Sequence, residues 1–311
     1  AMSRLHPVLH RLRGGLIASA QAYPGEPMRD PRTMDQVARA CAAGGAAGIR
    51  AQGLADLALI TQHVDVPVIG LWKDGHDGVF ITPTLTHAIA VAATGCQIVA
   101  LDATRRPRPD GLTFAQTVAG LKEARPDVLV MADCGSFEDA QRAVDAGVDI
   151  VSTTLAGYTG DRVKTDGPDL ELLREVVAAF PDVPVICEGR VHTPEQAAAA
   201  MEAGAFAVIV GTAITDFASA GLVQSNDKPG KNVTGSSDLT PVADQFDLLV
   251  KLLPQAKTVG VLYCTAESNS DVQVKLAAQA AANHGLKLVR YSVSSSNEIQ
   301  QVVESMVGKV D

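Results

Sequence analysis

Apolar residues in this chain come in short runs that end abruptly in polar or charged groups, and the runs alternate with helix-length segments. The runs lie at 15–21, 47–52, 67–73, 98–104, 128–134, 149–157, 184–190 and 207–214, and each is rich in small or branched aliphatic residues. Such runs predict strands of a parallel sheet. The segment 193–203 opens with Thr193, Pro194, Glu195 and Gln196, a capping box with proline at the first helical position. A second helix is predicted from Ser136 to Gly147. A weak repeat runs through AAGGAAGIRA, AATGCQIVAL, VDAGVDIVST and MEAGAFAVIV: helix end, glycine, strand. The glycine closes the helix in a left-handed cap, and small residues let helix and strand approach closely. Strands and helices at this spacing imply right-handed βαβ units. Eight units in about 215 residues predict an α/β fold of the (βα)8 TIM-barrel class rather than an open sheet.

The pattern changes after residue 215. Residues 222–238 are polar and rich in turn formers. A helix is expected over 238–254, with Val242, Phe246, Leu249 and Leu252–Leu253 on one face. A strand over 257–264, a helix over 269–285, a strand over 286–292 and a helix over 296–308 follow. The expected organisation is therefore a barrel at 1–215, a junction and connector at 216–237, and a partial α/β lobe at 238–311. Two strands and three helices are few for an independent domain. The chain stops at Asp311, where another strand is expected, so the tail reads as truncated. The lobe's unpaired sheet edge raises the expectation of a homo-oligomer, by strand pairing or swapping.

Composition narrows the function classes. With 311 residues, 47% of them hydrophobic, the chain can bury a sizeable core. A formal charge of -9 and the lack of a basic run argue against nucleic acid or an anionic membrane surface as partner. No apolar stretch reaches the roughly 18 residues of a membrane-spanning helix, and the first residues have no apolar signal core. Ala1 ahead of Met2 reads as a residue left by tag cleavage. The five cysteines form no CxxC pair and read as reduced, buried apolar groups. The seven histidines show no HxH or HExxH spacing, so no metal is expected.

Candidate chemistry sits at the strand ends. Gln21, Arg50, Gln52, Lys73, Asp102, Thr104, Asp133, the 152–154 Ser-Thr-Thr run, Glu188 and Arg190 would all converge on one mouth of a barrel. Burying polar groups there without purpose costs free energy. Lys73, Asp133 and Glu188 together suit proton transfer next to a carbonyl, because a lysine in a partly apolar mouth and a carboxylate beside it can exchange protons with a substrate carbon. Arg50 and Gln21 could bind or polarise an oxygen anion. Lys73 could instead form a Schiff base, as in an aldolase. Gly189 and Gly211, after strands seven and eight, expose backbone amides where many barrels hold a phosphate.

The motifs ASAQAY (18–23), AGIRAQG (47–53), PVIGLWK (67–73), ITPT (81–84), ALDAT (100–104), MAD (131–133), VSTTLAGYT (151–159), ICEGR (186–190) and VGTAIT (210–215) resemble the N-acetylmannosamine-6-phosphate 2-epimerase family over roughly residues 8–215. The resemblance implies a cofactor-independent, cytoplasmic (βα)8 enzyme that inverts C2 of a small sugar phosphate in amino-sugar and sialic acid catabolism. It implies Lys73 as the catalytic lysine, Glu188 beside it sharing the proton traffic, and Asp133 positioning lysine or substrate. Gln21, Arg50 and Arg190 would contact the sugar or its open-chain carbonyl, and Gly189, Gly211 and Thr212 would cradle the 6-phosphate. The sequence departs from the family at Asp216, where the pattern calls for an arginine on the phosphate. An anion there should repel it, and the lost charge-assisted contact alone is worth about 1.5–3 kcal/mol.

The tail from residue 216, beginning DFASAGLVQSNDKPGKNV, resembles an ABC-transporter solute-binding protein of the type I periplasmic fold. The resemblance implies a chimera joined near 214–218, most simply an engineered one. The rival readings are a folded but catalytically impaired or inactive scaffold, favoured by Asp216, and a Schiff-base aldolase. Ligand binding by the tail is disfavoured, since a binding cleft needs two lobes.

Overall fold

The structure is a computed structural model, and it describes residues 5–23, 26, 28–160, 162–212, 241–264, 270–293 and 298–311. The expected connector and Asp216 lie outside them. The chain divides into two compact units, Ala1–Ala213 and Ile214–Asp311.

The first unit is a closed parallel barrel of β1 (Leu16–Ala20), β2 (Gly48–Gln52), β3 (Val68–Leu71), β4 (Ile98–Asp102), β5 (Leu129–Asp133), β6 (Ile150–Ser152), β7 (Val185–Cys187) and β8 (Ala207–Gly211). β1 pairs with β2 (Ile17 opposite Gly48) and with β8 (Ile17 opposite Ile209), which closes the ring. Helix α1 (Pro7–Leu12) precedes β1, and α2 (Pro31–Ala43), α3 (Leu54–His63), α4 (Leu85–Ala93), α5 (Phe114–Ala124), α6 (Phe137–Asp145), α7 (Leu170–Ala179) and α8 (Pro194–Glu202) lie between successive strands. The capping box at α8 is formed: Thr193 Oγ1 accepts from Gln196 N–H at 3.1 Å and Gln196 Oε1 accepts from Thr193 N–H at 3.3 Å.

Because side chains alternate along a strand, each strand feeds two cores. Ile49, Ala51, Val99, Leu101, Val130 and Ala132 join the layer under the helices, while Ile17, Ile69, Leu71, Ile98, Met131, Ile150, Ile186 and Ile209 fill the barrel interior. Leu9 and Leu12 of α1 join the interior cluster. Gly48 makes room for them: a Cβ there would sit 2.6 Å from Leu12 Cδ2 and 3.1 Å from the Pro67 carbonyl oxygen. The α1 helix is absent from the strand-based reading, although Pro7 at its first turn and Leu5, Val8, Leu9 and Leu12 at helical spacing carry the signal.

Several strands end earlier than their apolar runs suggest: β3 and β4 stop two residues short, at Leu71 and Asp102, and β6 and β7 stop further short. β6 stops at Ser152 because the chain turns there: Ala156 N–H donates to Thr153 O, and Tyr158 N–H to Leu155 O. β7 stops at Cys187 because Gly189 (φ +104°) and Arg190 (φ +57°) leave the extended region.

In the second unit, β9 (Thr258–Cys264) and β10 (Lys287–Val293) form a two-stranded parallel sheet, with helices α9 (Val242–Leu252), α10 (Ser270–Asn283) and α11 (Ile299–Met306). Val242, Phe246, Ala277, Ala280 and Ala281 make its core, with Val259, Val261 and Leu288 of the sheet packed on them. Asp311 lies along β9: its N–H donates to Thr258 O, and its carboxylate accepts from the N–H groups of Lys257 and Thr258.

Candidate functional site

The alternation that sends Ile69, Met131 and Ile186 into the barrel places Lys73, Asp133 and Glu188 in the same inward register, at the C-terminal ends of β3, β5 and β7. By the same register Gln21 follows β1 and Arg50 lies on β2. These positions follow or lie on β1, β2, β3, β5 and β7 toward their C-terminal ends.

At the centre is a buried ion-pair network. Arg50 Nη1 and Nη2 donate to Asp133 Oδ1 and Oδ2 at 3.1 and 2.6 Å, and both side chains are at most 2% exposed. Arg50 Nε lies 3.2 Å from Glu188 Oε1, yet its hydrogen is not aligned for a bond and the atom has no hydrogen-bond partner. Glu188, 13% exposed, is the member of the network that opens toward solvent. Thr154 Oγ1 bridges the carboxylates, 2.9 Å from Asp133 Oδ1 and 2.8 Å from Glu188 Oε2, and also bonds Ser152 Oγ. Burial pushes the Glu188 carboxyl above its usual range, against the pull of Arg50; Asp133 adds to the rise, while Thr154 and Lys73 oppose it. For Arg50 burial alone would favour loss of the proton, but Asp133 and Glu188 outweigh it and raise the pKa.

Lys73 is half-buried, and its Nζ donates to Tyr23 Oη at 3.2 Å and lies 4.6 Å from the centre of that ring. Lys73 is held from below by a bridge to Ile81 and by Thr82 N–H donating to Trp72 O at 2.8 Å. Tyr23 is held by its own loop, where Arg29 joins the Ala22 carbonyl to Asp56 of α3. Asp102, fully buried beside Asp133 in the β4–β5 register, accepts from Thr104 N–H and Oγ1 at 2.9 and 2.7 Å and from Arg106 Nη2 at 2.6 Å. Burial raises its pKa in spite of these donors.

Other expected site residues are occupied elsewhere. Arg190 donates to Gly167 O at 3.1 Å, Ala156 O at 2.8 Å and Thr165 Oγ1 at 3.3 Å, and its guanidinium lies 5.0 Å from the Tyr158 ring centre. It pins the loop between β6 and α7. Thr212 gives both its N–H and its hydroxyl to Ser19 O, at 3.2 and 2.8 Å. Gly189 keeps a backbone that L side chains rarely adopt, and Gly211 is open, with nothing within 4 Å of a Cβ built on it. Gln21 donates through Nε2 to Ser19 Oγ at 2.9 Å and leaves Oε1 buried without a partner. Thr154 and Tyr23 are site residues to which the sequence alone assigns no role; the turn after Ser152 brings Thr154 to the carboxylates.

Among the described residues no cluster of histidine, cysteine and carboxylate has the geometry of a metal site, and no helix is long and apolar enough to cross a membrane. Cys96, Cys134 and Cys187 are buried free thiols, and burial pushes Cys96 and Cys187 up to about 11, which disfavours the thiolate form.

Comparisons with known proteins match two families along the chain. The sequence model of the family described as N-acetylmannosamine-6-phosphate epimerase matches residues 34–224. That of the ABC transporter substrate binding protein family matches residues 171–311. The chain is 56% identical over 209 residues to a protein of Cutibacterium acnes named as an N-acetylmannosamine-6-phosphate 2-epimerase, covering 67% of this chain and 91% of that one. A protein of the same name from Corynebacterium glutamicum is 50% identical over 209 residues, covering 66% and 89%. The solved N-acetylmannosamine-6-phosphate 2-epimerase from Clostridium perfringens superimposes with a TM-score of 0.63 at 38% identity, covering 68% of this chain and 92% of that one.

Proposed function

The chain belongs to the N-acetylmannosamine-6-phosphate epimerase family, and from that premise we propose that its barrel interconverts N-acetylmannosamine 6-phosphate and N-acetylglucosamine 6-phosphate by removing and returning the proton at C2. The observation that supports this reading is that Lys73 and Glu188 follow the ends of two different strands, β3 and β7, with the Lys73 charge acting on the Glu188 carboxyl. Inversion needs a proton taken from one face of a carbon and returned to the other, and two groups approaching from different strands suit that task. The C2 proton is acidic only beside a C1 carbonyl, so the sugar reacts in its ring-opened form.

Arg50 acts here through the carboxylates rather than on the sugar, since both its Nη groups are engaged by Asp133. Gln21 Oε1, buried and unpartnered, suits a hydroxyl or amide N–H of the substrate. Gly189 and Gly211 flank the side of the mouth assigned to the phosphate, and Thr212 supports that edge through Ser19. A phosphorylated sugar does not cross membranes unaided, and the free thiols of Cys41, Cys96, Cys134 and Cys187 support a reducing, cytoplasmic setting for the reaction.

The test is incubation with N-acetylmannosamine 6-phosphate in deuterated water. The C2 epimer should form carrying deuterium at C2, and borohydride should trap no adduct on Lys73; a trapped adduct would turn the reading to the Schiff-base alternative. A second reading, of a fusion whose barrel folds but turns over poorly, is favoured by Asp216 and by the two family matches on one chain. Asp216→Arg separates them: a gain of about tenfold or more in kcat/KM marks a lost phosphate contact, and no gain clears position 216 as the defect.

A further inference from the structure

Thr154 has one hydroxyl hydrogen and stands within bonding distance of two carboxylates. It cannot donate to Asp133 Oδ1 at 2.9 Å and Glu188 Oε2 at 2.8 Å at once. The two carboxylates differ in what else serves them. Each Asp133 oxygen already accepts from an Arg50 Nη, so Asp133 can release the Thr154 hydrogen without being orphaned. Among the described residues Glu188 has, on its other oxygen, only the misaligned Nε of Arg50. Ser152 Oγ also lies within bonding distance of Thr154 Oγ1, and with Ser152 as the donor of that bond the Thr154 hydrogen can turn between the two carboxylates.

We propose that Thr154 is a two-way positioning residue for Glu188, donating its hydroxyl hydrogen when Glu188 is ionised and accepting the Glu188 proton, with its own hydrogen turned to Asp133, when Glu188 is the acid. Both states are then hydrogen-bonded with no movement of a heavy atom. A reversible epimerase needs this, because the group that takes the C2 proton in one direction returns it in the other. As Glu188 takes that proton, the C–H electron pair passes into the enolate; as it gives the proton back, the pair returns to carbon. The charged groups facing Glu188 are Arg50 from β2, Lys73 from just past the end of β3 and Asp133 from β5, and Asp133 in turn helps raise the pKa of Asp102 on β4. Thr154 is the neutral member that can serve either protonation state.

The kinetic arm of this inference rests on the epimerase reading; the titration arm does not. Thr154→Val keeps the shape and removes the hydroxyl. Loss of a donor to a carboxylate destabilises the ionised form, so the Glu188 pKa rises. In the direction where Glu188 is the base, the acid limb of the pH–rate profile should move to higher pH. The kcat should fall about ten- to a hundredfold with KM little changed. Thr154→Ser should restore both, and Thr154→Ala serves as a second hydroxyl-free variant should valine disturb the packing. A limb that stays in place in the hydroxyl-free variants, or a serine variant that does not recover, overturns the proposal. Independently, carboxyl 13C titration of glutamate-labelled protein, with Glu188→Gln to assign the signal, should show the Glu188 midpoint moved up in the hydroxyl-free variants. That shift without turnover in the unmutated protein would support the hydroxyl switch and sink the epimerase reading. Turnover without the shift would do the reverse.

Discussion

In the unit Ala1–Ala213, charged side chains with almost no exposure, Arg50 and Asp133, occupy the centre of a closed barrel. In the unit Ile214–Asp311, leucines and valines of the described helices face outward: Leu248, Leu252 and Leu253 on or beside α9, Ile299, Val303 and Val307 on or beside α11. The contrast follows from sheet closure. Eight strands closed on themselves surround an interior whose lower part can be filled by aliphatic side chains, leaving a walled space at the strand ends where polar groups are kept from water and pair with one another. Two strands enclose nothing. Helices can only lean on such a sheet, and α11 buries no residue fully, though Met306 reaches so close to Gly260 that a Cβ there would stand 2.5 Å from its Cε. A catalytic site needs the first kind of environment, and among the described residues only the barrel provides it.

The comparison can be broken at either end. Arg50→Met should have the larger effect on stability: it leaves Asp133 buried without its partner, and the barrel's unfolding transition in urea should lose about 3–5 kcal/mol. A loss under about 1 kcal/mol would show that the network is open to water after all. Val303→Lys, on a surface that is 46% exposed, should change the stability of the second unit by about 0.5 kcal/mol or less in the same experiment. A large loss there would mean that Val303 is covered in solution.

Much of the barrel was legible in its sequence because a buried parallel strand is a local pattern: an apolar run, a glycine-capped helix before it, a polar group after it. The mouth was legible for the same reason, since strand direction alone decides which end a terminal residue occupies. Pairing within the mouth was not. Arg50 and Asp133 were assigned separate jobs on the substrate and its lysine, whereas the structure joins them to each other; that depends on distances across the barrel, which no local pattern encodes. Arg190 shows a second limit. It ends the same apolar run as Glu188, but the left-handed turn through Gly189 and Arg190 redirects it to the loop at 156–167. Thr154 lay inside a run read as continuous strand, and its role emerges only once the chain is seen to turn after Ser152.

If Lys73 and Glu188 remove and return the proton at C2 of a bound sugar phosphate, isotope exchange must fail in Lys73→Ala. In deuterated water the unmutated protein should place deuterium at C2 of recovered N-acetylmannosamine 6-phosphate and of its epimer, and the alanine variant, folded by circular dichroism, should place none. Deuterium at C2 in the variant at the unmutated rate would contradict the account.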